Sequence, residues 1–257
     1  MNFWNRIEQT FKRRYLKVLE RHFAKEVVMP QLINFGKIQN ILVVRQHDQL
    51  GDFLLCTPVL RALRENFPSA RIGLLVREYV ADVARNHPYI DDLLIFHEDL
   101  RKWTPKEIAN FYRQLRDGWE LAIVLNTVSH SLTSDLLAYF SGAKYILGSE
   151  HRVFPGCSRN FFYNLIAPYW EGERHQTERN LDIVRHIGVE THDLQEVMQL
   201  SEKEKETALE TLRNAGYRPE TLAIGMHVGA GKIRNRWPLE HFAALAQYLN
   251  DYFQVQV

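Results

Sequence analysis

The sequence predicts an α/β protein built on a parallel sheet, and two observations carry that reading. From about residue 38 onward, short Leu-, Ile- and Val-rich runs alternate with helical patterns, the rhythm of repeated β-α-β units. The runs are continuously apolar, as in Ile41-Leu-Val-Val44 and Leu121-Ala-Ile-Val-Leu125, which is the signature of strands covered on both faces. With 257 residues, 46% of them hydrophobic and 25% charged, the chain is long enough to bury such a sheet.

Residues 1–36 read as a basic amphipathic helical extension. Phe3, Ile7, Phe11, Tyr15, Val18, Leu19, His22 and Phe23 recur at helical spacing, and Pro30 and Gly36 end the pattern. Residues 1–30 hold seven Lys/Arg against three Glu, a net +4 in a chain whose total is +1. Such a helix suits contact with an anionic membrane surface, and it equally suits docking on the body with its charges solvated. The rest of the chain is slightly acidic and lacks the basic face that nucleic-acid binding requires.

Strands are expected at 41–44, 72–76, 93–96, 121–125 and 145–147, separated by helical patterns such as Val59, Leu60, Leu63, Phe67 and Ile108, Phe111, Tyr112, Leu115. An aromatic stretch with Gly and Pro, 153–170, breaks the rhythm before a helix around Leu181, Ile183, Val184 and Ile187. Ser201 and Glu204 form the capping box of a further helix that ends near Gly216. Residues 37–216 are therefore expected to form a Rossmann-like domain, and 217–257 to start a second one. That second unit reads as strand 222–227, loop 228–238, helix 239–249 and a strand over 253–257. This is too little to bury a core alone, so the second domain is expected to be incomplete.

The longest apolar runs fall far short of the roughly 20 residues of a membrane span, and the N-terminus lacks the apolar region of a signal peptide. A cytoplasmic protein is expected, peripheral on the inner membrane face where the basic helix contacts the membrane. Cys56 and Cys157 share no metal-ligand spacing and are expected reduced and structural, with no metal bound.

Two constellations can carry chemistry. The first is Arg45-Gln-His-Asp-Gln-Leu-Gly51-Asp52-Phe-Leu-Leu-Cys-Thr57-Pro58, directly after the first strand. Ligands of open α/β sheets sit at the carboxyl ends of the strands, where Asp52 is either a helix cap or a working carboxylate. Gly51 would allow a positive φ in the turn, and Thr57-Pro58 reads as N-cap and first helical residue. The second is Gly229-Ala230-Gly231-Lys232-Ile-Arg234-Asn-Arg236-Trp237-Pro238. Its glycines let backbone N–H groups approach a phosphate and its cations can balance a diphosphate; a solvated basic loop is the alternative. Neither a P-loop nor a dinucleotide fingerprint is present. His130 and His175 stand where loops meet elements, a placement shared by structural histidines and ligand-binding ones.

Together these stretches resemble glycosyltransferase family 9, the heptosyltransferases. The resemblance lies in Ile41 to Pro68 (Gly51-Asp52, Thr57-Pro58, Leu60-Arg-Ala-Leu-Arg, Phe67-Pro68) and His227 to Ala243 (His227-x-Gly229-Ala230, Arg236-Trp237-Pro238, Phe242-Ala243). Weaker echoes are Ser141-Gly-Ala143 and His175 ahead of Gly188. It implies a two-domain GT-B fold, with the acceptor held by the N-terminal half and a nucleotide-sugar by the C-terminal half. It also implies inverting transfer of a heptose-like sugar from an ADP-sugar to a lipid-linked, lipopolysaccharide-core-type acceptor, with Asp52 as general base and no metal or other cofactor. Gly229, Ala230, Gly231, Lys232, Arg234 and Arg236 would hold the donor, and Gly51, Arg45, His130 and His175 the acceptor.

Asn235 stands where the family commonly has Lys, and the family's later Asp-Ser/Thr-Gly-x-x-His stretch does not occur. These 257 residues alone are therefore not expected to turn over. The alternative function is a non-catalytic acceptor-binding or scaffold relative.

Overall fold

The computed structural model describes all residues except Met1, Asn2, His47, Asp48, Val128 and Ser129, and in the first helix it describes side chains only from Arg13 onward. Six parallel strands form one sheet: β1 (Asn40–Arg45), β2 (Arg71–Arg77), β3 (Asp92–Phe96), β4 (Leu121–Val124), β5 (Tyr145–Ser149) and β6 (Leu165–Ala167), in the order β3-β2-β1-β4-β5-β6. The order reverses direction between β1 and β4, so the topological switch point lies between their carboxyl ends.

The continuous apolar runs serve two cores at once. Ile41 and Val43 of β1 point into one cluster and Leu42 and Val44 into the other, as the period of two along a strand demands. The first core is closed by α3 (Thr57–Asn66), α4 (Glu78–Ala84) and α7 (Gln176–Arg185), through residues such as Leu60, Leu63, Val80, Leu181 and Val184. The second is closed by α5 (Pro105–Leu115), α6 (Leu132–Phe140) and the aromatic stretch, with Phe161, Phe162 and Tyr163 all buried. That stretch contains a strand the periodicity does not announce: β6 has only three residues, inside a run whose aromatic side chains pack irrespective of strand alternation. On β5, Gly148 leaves the space the Tyr163 ring fills; a Cβ there would overlap the ring.

The N-terminal helix α1 (Phe3–Phe23) packs its C-terminal half on the second core. The face that docks is Leu16, Leu19 and Phe23, spaced for one side of a helix, whereas Tyr15 and Val18, expected on the apolar face, stay 58% and 55% exposed. Phe3, Ile7 and Phe11, expected on the same face, lie outside the described side chains. Glu20 accepts from the Ser158 amide (2.8 Å) and hydroxyl (2.6 Å), Lys25 Nζ donates to the Ala143 carbonyl (2.9 Å), and Lys25 and Val28 amides bond the Phe161 and Asn164 carbonyls. Residues 13–28 thus belong to the sheet unit instead of standing apart from it.

The chain divides into two compact units, Met1–Gln199 and Leu200–Val257, so the boundary falls ahead of the helix that was expected to close the first domain. The second unit contains α8 (Glu202–Asn214), capped by Ser201 and Glu204 as anticipated, and α9 (Leu239–Phe253). The two expected strands are reduced to a single parallel bridge, Ala223 to Gln256, and α9 runs on to Phe253, the first residue expected of the last strand. Trp237 packs edge-on against Phe242 at the start of α9 (4.8 Å between rings).

Candidate active site

Directly beyond β1 the chain turns into a short helix, α2 (Leu50–Leu54), and this decides how Asp52 is presented. Gln49, not Asp52, occupies the N-cap position, and Asp52 is the third helical residue with an exposed side chain. No hydrogen bond or ion pair engages its carboxylate among the described residues. It lines an open cleft of about 520 Å³ with Gln49, Gly51, Leu54, Leu55 and Glu196.

Gly51 does not take a positive φ, contrary to the turn expected of it. It is helical, and a Cβ built there meets nothing within 4 Å, so its missing side chain leaves the approach to Asp52 clear. Arg45, nearly buried, reaches toward the Asp52 carbonyl at 3.5 Å and braces the backbone of α2 from the end of β1. Thr57 is likewise not a cap: Cys56 is the N-cap of α3, while the Thr57 hydroxyl donates to the Leu54 carbonyl (2.8 Å) and accepts from the Val197 amide (2.9 Å). That second bond fixes the 190s segment beside α2, which is how Glu196 comes to the cleft.

Polar residues that no motif announced stabilise the same edge. Asn180 of α7 donates to the Leu55 carbonyl (3.0 Å) and accepts from Thr127 (3.3 Å) and Gln176 (3.2 Å), and Gln176 also donates to Thr127. The loop after β4, the first turns of α7 and the end of α2 are thereby held together. The Ser134 hydroxyl donates to Gln46 at 3.5 Å, linking α6 to the residue after β1. Their only trace in the sequence is polar residues at positions an amphipathic helix would give to the core. Beneath α2, His87 packs edge-on to Phe53 with its Nε2 buried and without a partner, and burial, reinforced by Arg61, lowers its pKa to about 4.

The two histidines are placed differently from each other. His175 caps α7, its Nδ1 accepting weakly from the Thr177 amide at 3.4 Å. His130 is committed internally: Nε2 meets Asp135 Oδ2 at 2.5 Å and Nδ1 meets the Arg152 carbonyl at 2.8 Å, while the Tyr163 hydroxyl donates to Asp135 Oδ1 at 2.5 Å. Both ring nitrogens are engaged within the fold, so neither is left for a sugar hydroxyl. Burial alone would depress the His130 pKa; the Asp135 carboxylate outweighs it and holds the value above the ordinary imidazole range.

In the second unit the glycine-cation loop is exposed. A 3-10 turn spans Ile233–Asn235, Arg236 Nε donates to the Ala230 carbonyl at 2.9 Å, and a Cβ at Gly231 would meet nothing within 4 Å. Lys232 and Arg234 extend into solvent, so the loop offers backbone and cations without internal neutralisation.

The profile of glycosyltransferase family 9 (heptosyltransferase) matches residues 108–257, more than half of the chain. The chain belongs to this family. The Gly51-Asp52 block lies outside the matched residues. A Haemophilus influenzae protein named as a candidate glycosyltransferase is 26% identical over 232 residues, 86% of this chain and 63% of the relative. Among solved structures, a family 9 glycosyl transferase from Veillonella parvula superposes with a TM-score of 0.68 at 23% identity, covering 83% of this chain and 60% of that one. Escherichia coli ADP-heptose lipopolysaccharide heptosyltransferase II gives 0.60 at 22% identity, covering 83% and 62%. The chain therefore spans a little over three fifths of the length of these relatives, and the superpositions bear out the α/β fold of the heptosyltransferase type.

Proposed function

We propose that this protein is an inverting glycosyltransferase that moves a heptose-like sugar from an ADP-sugar to a lipid-linked, lipopolysaccharide-core-type acceptor, the acceptor being held by the sheet unit. The observation that carries this reading is the exposed Asp52 carboxylate in an open cleft at the switch point of a family 9 chain. A sugar hydroxyl is a weak nucleophile until a positioned base takes its proton, a contribution of about 10²–10⁴ in rate. Asp52 is the base in this account, Gly51 leaves the hydroxyl room to approach, and Leu54 and Leu55 give the sugar ring an apolar floor. Attack from the face opposite the departing nucleotide inverts the anomeric centre.

The leaving diphosphate needs cations and backbone donors, which Gly229, Ala230, Gly231, Lys232, Arg234 and Arg236 can supply without a metal. Asn235 removes one cation from that set. Arg45 acts through the backbone of α2, and His175 at the start of α7 is offered to the acceptor, whereas His130 holds the fold. The exposed cations of α1 bring the protein to the cytoplasmic membrane surface where such an acceptor resides.

The competing reading is a scaffold that holds the acceptor and no donor, and Asn235 is the residue that favours it. Calorimetry of the full-length protein with ADP and ADP-sugars separates the two. The transferase reading expects saturable binding of both, weakened by Lys232→Ala or Arg236→Ala; no binding of either ligand would make the protein a scaffold.

A further inference from the structure

Away from the Asp52 cleft, a second cleft of about 430 Å³ opens between α1 and the loop joining β5 to β6. Its volume lies within the roughly 300–1,000 Å³ of small-molecule sites. Its walls are Leu16 of α1, Leu132, Val153 and Phe154, with the His130 ring stacked on Phe154 (4.1 Å) and Arg152 at the mouth. Arg152 and Val153 are both exposed.

Three features of the surroundings specify what fits. The lining joins the apolar Leu16, Leu132, Val153, Phe154 and Pro155 to one exposed cation, Arg152. A Cβ built at Gly156, two residues past Phe154, would stand 3.5 Å from the Arg13 stem and 3.7 Å from that of Lys17, which puts this part of α1 beside the loop, and no ion pair engages Arg13, Lys17 or Arg152 among the described residues. The nearby acid, Glu20, is taken up by Ser158, and Asp135 is buried beneath His130. Finally, Arg152 holds a φ of +54°, a left-handed conformation that is disfavoured for a residue with a Cβ and that persists where the surroundings enforce it. Its carbonyl is held by His130 Nδ1 at 2.8 Å, and Arg152 lines the cleft with its side chain exposed.

We propose that this cleft binds an anionic phospholipid of the membrane surface, one acyl chain entering between α1 and the β5–β6 loop and the head-group phosphate lying against Arg152, Arg13 and Lys17. The proposal rests on the membrane-surface role given to α1 above and adds a discrete site to it. Tyr15 and Val18, exposed on the same half of α1, extend the apolar surface that would meet the interface. A binding site of this kind turns diffuse attraction to a charged surface into a fixed seating of the sheet unit on the bilayer.

The test uses the 257-residue chain and a lipid short enough to stay monomeric, dihexanoyl-phosphatidylglycerol, titrated by calorimetry and followed by amide NMR. One-site saturation with shifts at residues 130–132 and 152–156 is expected, with no saturation by dihexanoyl-phosphatidylcholine or inorganic phosphate. Arg152→Gly relieves the positive φ while removing the cation, so it keeps the fold and is expected to weaken binding about fivefold. Val153→Asp, on an exposed position, is expected to abolish binding of the monomeric lipid while sedimentation with phosphatidylglycerol-containing vesicles persists through the α1 cations.

Vesicle sedimentation without saturable binding of the short lipid would remove the cleft and leave the surface role of α1 standing. Saturable short-lipid binding without sedimentation would keep the cleft and remove the surface role. Equal binding of the phosphatidylcholine lipid or of phosphate alone, or an unaltered affinity in Val153→Asp, would overturn the assignment.

Discussion

Gly51 and Asp52 divide one task between them. A glycine in a helix costs about 0.5–1 kcal/mol relative to alanine. Here no positive φ requires it, and open space surrounds its Cα, so the account assigns the glycine to ligand access. Gly51→Ala is accordingly expected to raise thermal stability by up to about 1 kcal/mol while raising KM for the acceptor in the full-length enzyme; an unchanged KM would mean that the space is not used. His87 makes a separate prediction about pH. Its folded pKa of about 4 lies below the unfolded 6.5, so its contribution is complete above the unfolded value and is lost as pH falls between 6.5 and about 4, on the order of 3 kcal/mol in all. His87→Leu should flatten that acid limb in urea titrations across this range. His130 has the opposite sign: its raised pKa stabilises below the unfolded value and is lost as pH rises through the folded one. Asp135→Asn leaves the buried ring without its counter-charge and should cost about 3–5 kcal/mol, whereas Tyr163→Phe, which frees one carboxylate oxygen, should cost about 1–3 kcal/mol by the same denaturation assay.

At the level of elements, periodicity revealed β1 to β5 and the helices that close them, because burial on two faces writes continuous runs and burial on one face writes a 3.6-residue repeat. It did not reveal β6, three residues inside an aromatic run that masks any alternation, nor α2, which has five. Missing α2 is why Asp52 and Thr57 read as caps. The helix start is set one residue earlier, at Cys56, by a Thr57 side chain that bonds to Leu54 and Val197, and a partner 140 residues away leaves no local trace. On α1 the apolar positions were legible but the docking face was not: Leu16 meets the core while Tyr15 and Val18 face out, since one helix can satisfy two overlapping stripes and only the tertiary partner selects between them. Replacing Leu16 with Asp should therefore undock α1 and expose residues 13–28 to proteolysis, while Val18→Asp should leave that protection unchanged; equal protection in both would place the docking face elsewhere.

For the molecule as a whole, the strand order β3-β2-β1-β4-β5-β6 fixes where chemistry can occur, because only between β1 and β4 do neighbouring connections leave in opposite directions and open a crevice. The sequence brought Asp52 to that crevice through the Gly-Asp pair after the first strand. It could not bring Glu196, Asn180 or Thr127, whose arrival depends on the path of chain from β6 through α7 and back to α2. The same dependence on long-range closure explains the boundary near residue 200: α8 reads as a helix from its capping box alone, but its allegiance to the second unit is set by packing. The central claim is that the Asp52 carboxylate takes the acceptor proton, and the most direct measurement is the turnover of the full-length protein with ADP-heptose and a lipopolysaccharide-core acceptor, comparing wild type with Asp52→Ala and Asp52→Asn. The account predicts a fall in kcat of about 10²–10⁴ in both variants, with KM for each substrate and the melting temperature little changed. Turnover near wild type in Asp52→Asn, which keeps the shape and loses the base, would contradict it.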